Sequence, residues 1–377
     1  MDVQTIIASV EAKSDWIDET LRELVRIESP SDAPKAVNDA MTFVADIART
    51  LGGRVKVHKQ REFGHVYEIR FGPTRSAKKP ILLLGHLDTV WPLGTLAKMP
   101  WREENGRFWG PGVLDMKAGV VMALAAVATL RDLKLARPVI LLLNSDEEVG
   151  STVSRPITEK LAKESEAVFV LEPAQVLAYK TARKGVGNYT LEVTGVAAHS
   201  GVDFERGHSA ILEMAKLVQT VSGFTDPSKK RTVNCGVISG GTRSNVVAGT
   251  ATVEVDVRIA KNSDAATVER LFRSLKPSDK HCKLTITGGI NRPPMERKAG
   301  TVALFKQARK LAAQIGFDLE EAATGGGSDG NFTAALGVPT LDGMGAVGEG
   351  AHALHESIVI EHLVPRTALL AAMIAAV

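Results

Sequence analysis

Apolar positions recur first at helical spacing. Within residues 10–26, Ile17, Leu21, Leu24 and Val25 fall on one side, which predicts an amphipathic helix. Residues 40–51 predict a second helix, ended by Gly52-Gly53. The rhythm then changes. Residues 80–84, 138–143 and 167–171 are short, unbroken apolar runs, the pattern of strands buried on both faces of a largely parallel sheet. Stretches between them, such as 119–135, read as crossover helices. Together these elements predict an α/β core, a mostly parallel sheet with helices on both faces.

From about Lys184 strict alternation takes over. Residues 189–194 alternate apolar and polar, 207–222 are helical and 232–240 strand-like. Ala251, Val253, Val255, Val257 and Ile259 share one face of the next strand, with Thr252, Glu254, Asp256 and Arg258 on the other. A helix over 265–275 and a strand over 283–287 complete the order β-α-β-β-α-β. That order is the ferredoxin-like α+β unit, one sheet with helices on one face. Residues 184–292 are therefore expected to form a second domain inserted into a first made of 1–183 and 293–377. Helix 300–315 returns to the first domain.

Composition narrows the function classes. A chain of 377 residues accommodates two domains at roughly 100–200 residues each. Lys plus Arg number 46 against 43 Asp plus Glu, with no dense basic run, so a nucleic-acid partner is not expected. The two cysteines, Cys235 and Cys282, fit neither a disulfide framework nor a metal-ligand spacing. The apolar runs 119–130 and 369–377 fall short of the roughly 20 residues that cross a membrane, and the start Met1-Asp2-Val3-Gln4 lacks a signal-peptide pattern. The expectation is a soluble, cytoplasmic protein with no membrane partner.

Polar residues gather where the apolar strands end. His86 and Asp88 follow Leu84; Glu147 and Glu148 follow Leu143; Glu172 follows Leu171. Open parallel sheets bind ligands beyond the carboxyl ends of their strands. Asp115 precedes the 119–135 helix, and His352 and His355 lie in a glycine-rich loop. Histidines and carboxylates without a thiolate suit zinc or another divalent metal in a hydrolytic site, and this set could hold two ions roughly 3.5–4 Å apart. Asp88 stands where a carboxylate could orient His86. Of the pair Glu147-Glu148, one could ligate metal while the other serves as general base.

Three segments in order, Gly85-His86-Leu87-Asp88-Thr89-Val90, Gly110-Pro111-Gly112-Val113-Leu114-Asp115-Met116-Lys117 and Asp146-Glu147-Glu148-Val149-Gly150, resemble the M20 family of zinc metallopeptidases. The nearest likeness is to bacterial glutamate carboxypeptidases, alongside acetylornithine deacetylases and aminoacylases. The resemblance implies two zinc ions, replaceable by Co²⁺ or Mn²⁺. His86, Asp115 and Glu172 would hold one, and Asp115, Glu148 and His352 the other, with Asp115 bridging. It further implies Glu147 as general base, Asp88 as support for His86, and a cis peptide after Asp115. The family pattern of His, three residues, then Glu selects His352 rather than His355. Glu at position 172 goes with carboxypeptidase and deacylase members.

The inserted domain falls where the family has its lid. Thr194–Ser200 resembles the segment whose histidine, here His199, stabilises the oxyanion, often across a dimer interface. Arg258 resembles the arginine that grips a substrate carboxylate, its bidentate fork suited to the task. Asn245 and the loop of Gly326, Gly327 and Ser328 resemble further substrate-binding segments. The resemblance thus implies a homodimer, formed through the lid, that hydrolyses small peptides or N-acyl amino acids next to a free C-terminal carboxylate. Two other readings stand beside it. Gly326-Gly327-Ser328-Asp329-Gly330 is a formal G-x-S-x-G match for a serine hydrolase, although Glu320-Glu321-Ala322-Ala323-Thr324 is a poor strand to precede one. A catalytically silent binding protein on the same fold would be expected to lack a ligand or the base.

Overall fold

The computed structural model describes residues 2–134 and 137–377. The chain folds as two compact units. The first comprises the chain up to Ala182, Arg297–Ala323 and Ser328–Val377; the second comprises Arg183–Glu296 and Thr324–Gly327.

The first unit begins with two helices where the spacing predicts one. Helix α1 (Val3–Glu11) is capped by Asp2, whose carboxylate accepts from the Gln4 N–H at 3.1 Å. Helix α2 (Ser14–Val25) starts afresh after Lys13 leaves helical geometry, and the stripe through Ile17, Leu21, Leu24 and Val25 belongs to it alone. Helix α3 (Pro34–Thr50) starts ahead of residue 40 because Pro34 opens its first turn, where a missing N–H breaks no intrahelical bond.

The main sheet contains β1 (Arg54–His58), β2 (Val66–Phe71), β3 (Ile81–His86), β4 (Val139–Asn144), β5 (Ala167–Val170) and the short strand Thr340–Leu341. Its order is β1-β2-β4-β3-β5 and then Thr340–Leu341. The pairs from β4 to Thr340–Leu341 are parallel, whereas β1 with β2 and β2 with β4 are antiparallel. The sheet is therefore mixed: β2 alone runs against the other strands, an addition to the expected parallel pairing. The cause is local. β1 and β2 form a hairpin, and the connection 72–80 holds no crossover helix of the kind that parallel strands require.

Two layers of helix explain the unbroken apolar runs. Leu83, Leu141, Leu143 and Phe169 point into one core with α1, α3 and α4 (Ala118–Asp132). Leu82, Leu84, Ile140, Leu142, Val168 and Val170 point into another with Leu161 and Ala162 of α5 (Arg155–Glu164). Each fully buried side chain of this size contributes about 1.5–3 kcal/mol. Helix α4 occupies most of the span predicted over 119–135; residue 135 lies outside the described residues. The stretch Val113–Asp132 is long and apolar enough to cross a membrane, yet 94% of its most apolar window is buried inside the protein.

The second unit runs β6 (Gly185–Thr194), α6 (Ala210–Ser222), β7 (Thr232–Gly240), β8 (Thr250–Ile259), α7 (Ala265–Arg273) and β9 (Lys283–Arg292). Its four-stranded sheet has the order β7-β8-β6-β9 and is antiparallel throughout, the ferredoxin-like arrangement. Leu191, Val193, Val253, Val255 and Val257 pack on Met214 and Leu217 of α6 and on Val268 and Phe272 of α7. Strand β9 continues past Thr287 through Gly288, whose φ is 98°; a Cβ there would lie 2.0 Å from the Asn188 carbonyl oxygen. The chain then returns to the first unit with α8 (Ala299–Ile315) and α9 (Leu363–Ala376), which close the α1 and α4 side of the core.

Candidate metal centre

Parallel pairing aligns the strand ends that carry the chemistry. His86 ends β3 opposite Asn144 of β4, and the Leu171 N–H donates to the Leu84 carbonyl at 2.9 Å. His86, the turn with Glu147 and Glu148, and Glu172 therefore emerge at one edge of the sheet. Asp115 comes from the irregular turn Val113–Lys117 before α4, where the Asp115–Met116 peptide is cis. His352 comes from the loop between Gly348–Glu349 and Ser357–Val359, with a left-handed φ of 62°. Two glycines admit backbone against Glu172: a Cβ on Gly119 or on Gly345 would lie 2.1 or 2.2 Å from the Leu171 carbonyl oxygen.

The side chains converge around Asp115. Its Oδ1 lies 3.3 Å from His86 Nε2 and its Oδ2 lies 3.3 Å from His352 Nε2. Glu172 Oε1 is 3.7 Å from the same His86 nitrogen, and Glu148 Oε2 is 3.2 Å from the same His352 nitrogen. Ligand atoms of His86, Glu147 and Glu172 lie within 4.8 Å of one another, as do those of His86, Asp115 and Glu148.

A cation fits this set. His86 Nε2, Asp115 Oδ1 and Glu148 Oε1 are buried and make no hydrogen bond, although they stand among oppositely charged neighbours. Buried polar atoms are rarely left so; divalent cations among these nitrogen and oxygen donors would satisfy them. The charges agree. Burial opposes a charge on His86, but Asp115, Asp88 and Glu172 outweigh it and raise its pKa well above the usual range. Asp115 and Glu148 push the pKa of His352 up to about 10. Burial would raise the Asp115 carboxyl, yet His352 and His86 hold it far below its usual value. Glu148 is raised by burial, only partly offset by His352.

The supports around the cluster differ from those expected. The carbonyl of Asp88 lies 2.9 Å from His86 Nδ1. A carbonyl only accepts, so Nδ1 donates its proton there and Nε2 is the nitrogen turned to the cluster, open to a cation once its own proton has left. The Asp88 carboxylate, 3.4 Å from that nitrogen, is hydrogen-bonded elsewhere: it accepts from the Glu147 N–H (3.2 Å), the Glu148 N–H (3.1 Å) and the Ser31 hydroxyl (2.8 Å). Asp88 thus fixes the glutamate turn as well as facing the imidazole. Sequence reading gave no role to Glu356, a buried carboxylate that accepts the backbone N–H groups of Gly112, Leu114 and Asp115. It also missed Lys117, whose buried Nζ donates to the Ile27 carbonyl and whose pKa burial lowers to about 8. Arg366 was missed as well; it donates to the carbonyls of Gly343 and Gly345 ahead of the His352 loop.

The other candidates are held by contacts of their own. His355 is exposed and enters no ion pair among the described residues. Ser328 is buried, its N–H donating to Asn331 and its hydroxyl to Asp342 at 2.6 Å rather than to an imidazole. A strand does precede the glycines, since Glu320–Thr324 pairs with Ala178–Arg183. The serine hydroxyl is nonetheless engaged within the chain, without the imidazole partner that a serine nucleophile requires. In the second unit, Ala198–His199 pairs with Val246–Val247, and the Ser200 N–H donates to the Asn245 carbonyl. The structure therefore brings His199 and Asn245 together. His199 is exposed, its Nδ1 accepting from the Gly201 N–H. Arg258 pairs with Asp256 at 2.8 Å, and Arg183 donates to the carbonyls of Gly326 and Gly327.

Residues 82–376 match the family described as Peptidase family M20/M25/M40. The chain is 30% identical over 362 residues to carboxypeptidase G2 from Pseudomonas sp. (strain RS-16), covering 94% of this chain and 87% of that one. It is 26% identical over 318 residues to acetylornithine deacetylase from Myxococcus xanthus, covering 81% and 82%. Its fold matches the solved M20 family metallo-carboxypeptidase Sso-CP2 from Sulfolobus solfataricus with a TM-score of 0.79 at 18% identity, covering 96% and 99% of the two chains.

Proposed function

The chain belongs to peptidase family M20/M25/M40, and from that premise we propose that this hydrolytic enzyme cleaves an amide bond next to a free carboxylate in a metal-dependent reaction. The observation that carries the reading is Asp115, one oxygen facing His86 and the other His352. One carboxylate so placed can be shared by two cations, the first held also by Glu172 and the second by Glu148. When bound, two zinc ions, or Co²⁺ or Mn²⁺ in their place, supply Lewis acidity to the scissile carbonyl and the attacking water.

The remaining work falls to side chains. Glu147 accepts the water's proton and returns it to the leaving amine. Its support is the closeness of its carboxylate to His86 and Glu172, and the hydrogen bond from its backbone to Asp88. On the second unit, His199 serves the developing oxyanion and Arg258 the substrate's terminal carboxylate, for which the Arg258–Asp256 pair must open. The product is a C-terminal amino acid such as glutamate. The likeness to acetylornithine deacetylase favours N-acyl amino acids as a second substrate class.

The test is a substrate panel offered to the zinc-loaded protein: N-acyl amino acids and short peptides, some ending in glutamate, each with its C-terminal amide counterpart. Release of the C-terminal amino acid from the free acids, and not from the amides, is expected. Equal cleavage of the amides, or release of the N-terminal residue, overturns the reading.

The second unit also carries a surface suited to a second copy of the chain. Strand β7 lies at the sheet edge with Val237 and Ile238 exposed, and the exposed Ile211 and Leu212 begin α6 beside Gly240. An unpaired edge next to apolar side chains favours a two-fold contact. Sedimentation should show a dimer that Val237→Glu with Ile238→Glu converts to monomer; a wild-type monomer at high concentration refutes this.

A further inference from the structure

Glu356 is fully buried and is not a member of the ligand set, yet it is bonded to the backbone that carries it. Its Oε1 accepts from the N–H groups of Leu114 at 2.9 Å and Asp115 at 3.0 Å. Its Oε2 accepts from the Gly112 N–H at 2.9 Å and the Trp91 indole at 2.8 Å. Each carboxylate oxygen thus accepts from two donors. The Glu356 N–H donates to the Ala353 carbonyl at 2.9 Å, in the turn that holds His352, while its carbonyl accepts from the Gly110 N–H at 3.4 Å. One residue thus joins the segment that ends in Asp115 to the segment that presents His352.

We infer that Glu356 is a positioning residue that holds Asp115 and His352 in register and thereby sets the affinity of the metal site they share. The inference rests on the proposed function and deepens it. Metal ligation demands this control. Ligand distances to zinc are held near 2.0–2.2 Å, and Asp115 must serve His86 and His352 with opposite oxygens at once. A peptide plane free to rotate about Asp115 would satisfy one side and lose the other. Removing a buried acceptor also strands the N–H groups it served, so the turn would relax toward new partners.

The test is Glu356→Gln, which keeps the shape but turns an amide donor toward two donors. Zinc uptake is measured by titration at buffered free Zn²⁺, and melting curves are recorded with and without metal. We expect a folded protein whose affinity at the shared site falls about 10–100-fold, with the zinc-induced rise in Tm reduced. Trp91→Phe removes one of the four bonds and should weaken zinc in the same direction by less. A Glu356→Gln protein that melts lower with and without metal, yet binds zinc as tightly as wild type, overturns the inference and leaves Glu356 a structural brace. Should Glu356→Gln not fold, unchanged zinc affinity in Trp91→Phe overturns it. If wild-type protein takes up no divalent metal, the proposed function falls instead.

Discussion

Glu147→Gln should retain its metal and lose turnover, with kcat falling about 10²–10⁴-fold. The replacement keeps the size of the side chain and the N–H that donates to Asp88. It removes the basic oxygen that would take the water's proton, because an amide does not accept it. Glu148→Gln should behave differently. Glu148 Oε2 lies 3.2 Å from His352 Nε2 and its Oε1 is buried without a hydrogen bond, which places it to ligate a cation. Its loss should weaken one of two ions and lower activity by way of metal occupancy, recoverable in part with excess zinc. Metal analysis beside single-turnover kinetics separates the two. A Glu147→Gln protein that loses metal, beside a Glu148→Gln protein that keeps it, would reverse the roles.

The parts of this site legible in the sequence are those set by strand ends. Unbroken runs before His86, after Pro138 and before Glu172 marked strands buried on both faces, and polar residues directly after such strands emerge at one edge. The hairpin that brings in the sheet's antiparallel pairs is also written in the sequence, in the alternation of Val55 and Val57 with Lys56 and of Tyr67, Ile69 and Phe71 with Glu68 and Arg70. What the sequence hid is contact between distant segments. Asp88 stands two residues from His86, a spacing that suggests support of that imidazole; its carboxylate also takes the amides of Glu147 and Glu148, a partnership no local spacing encodes. Glu356 was visible four residues after His352, but its partners lie at Trp91 and at Gly112–Asp115. Ser328 shows the converse: a local match to a nucleophile motif whose hydroxyl is committed to Asp342 inside the fold.

Metal dependence is tested most directly by metal content measured against activity in one preparation. Buried polar atoms left without a hydrogen bond are costly to keep, and cations held by His86, Asp115 and Glu148 would offset that cost. Protein saturated with zinc should hold about two ions per chain. Dialysis against a chelator should lower both ion count and hydrolysis to background while the fold persists, and Zn²⁺, Co²⁺ or Mn²⁺ should restore hydrolysis in step with uptake. Full activity in metal-free protein, abolished by Ser328→Ala, would contradict the account.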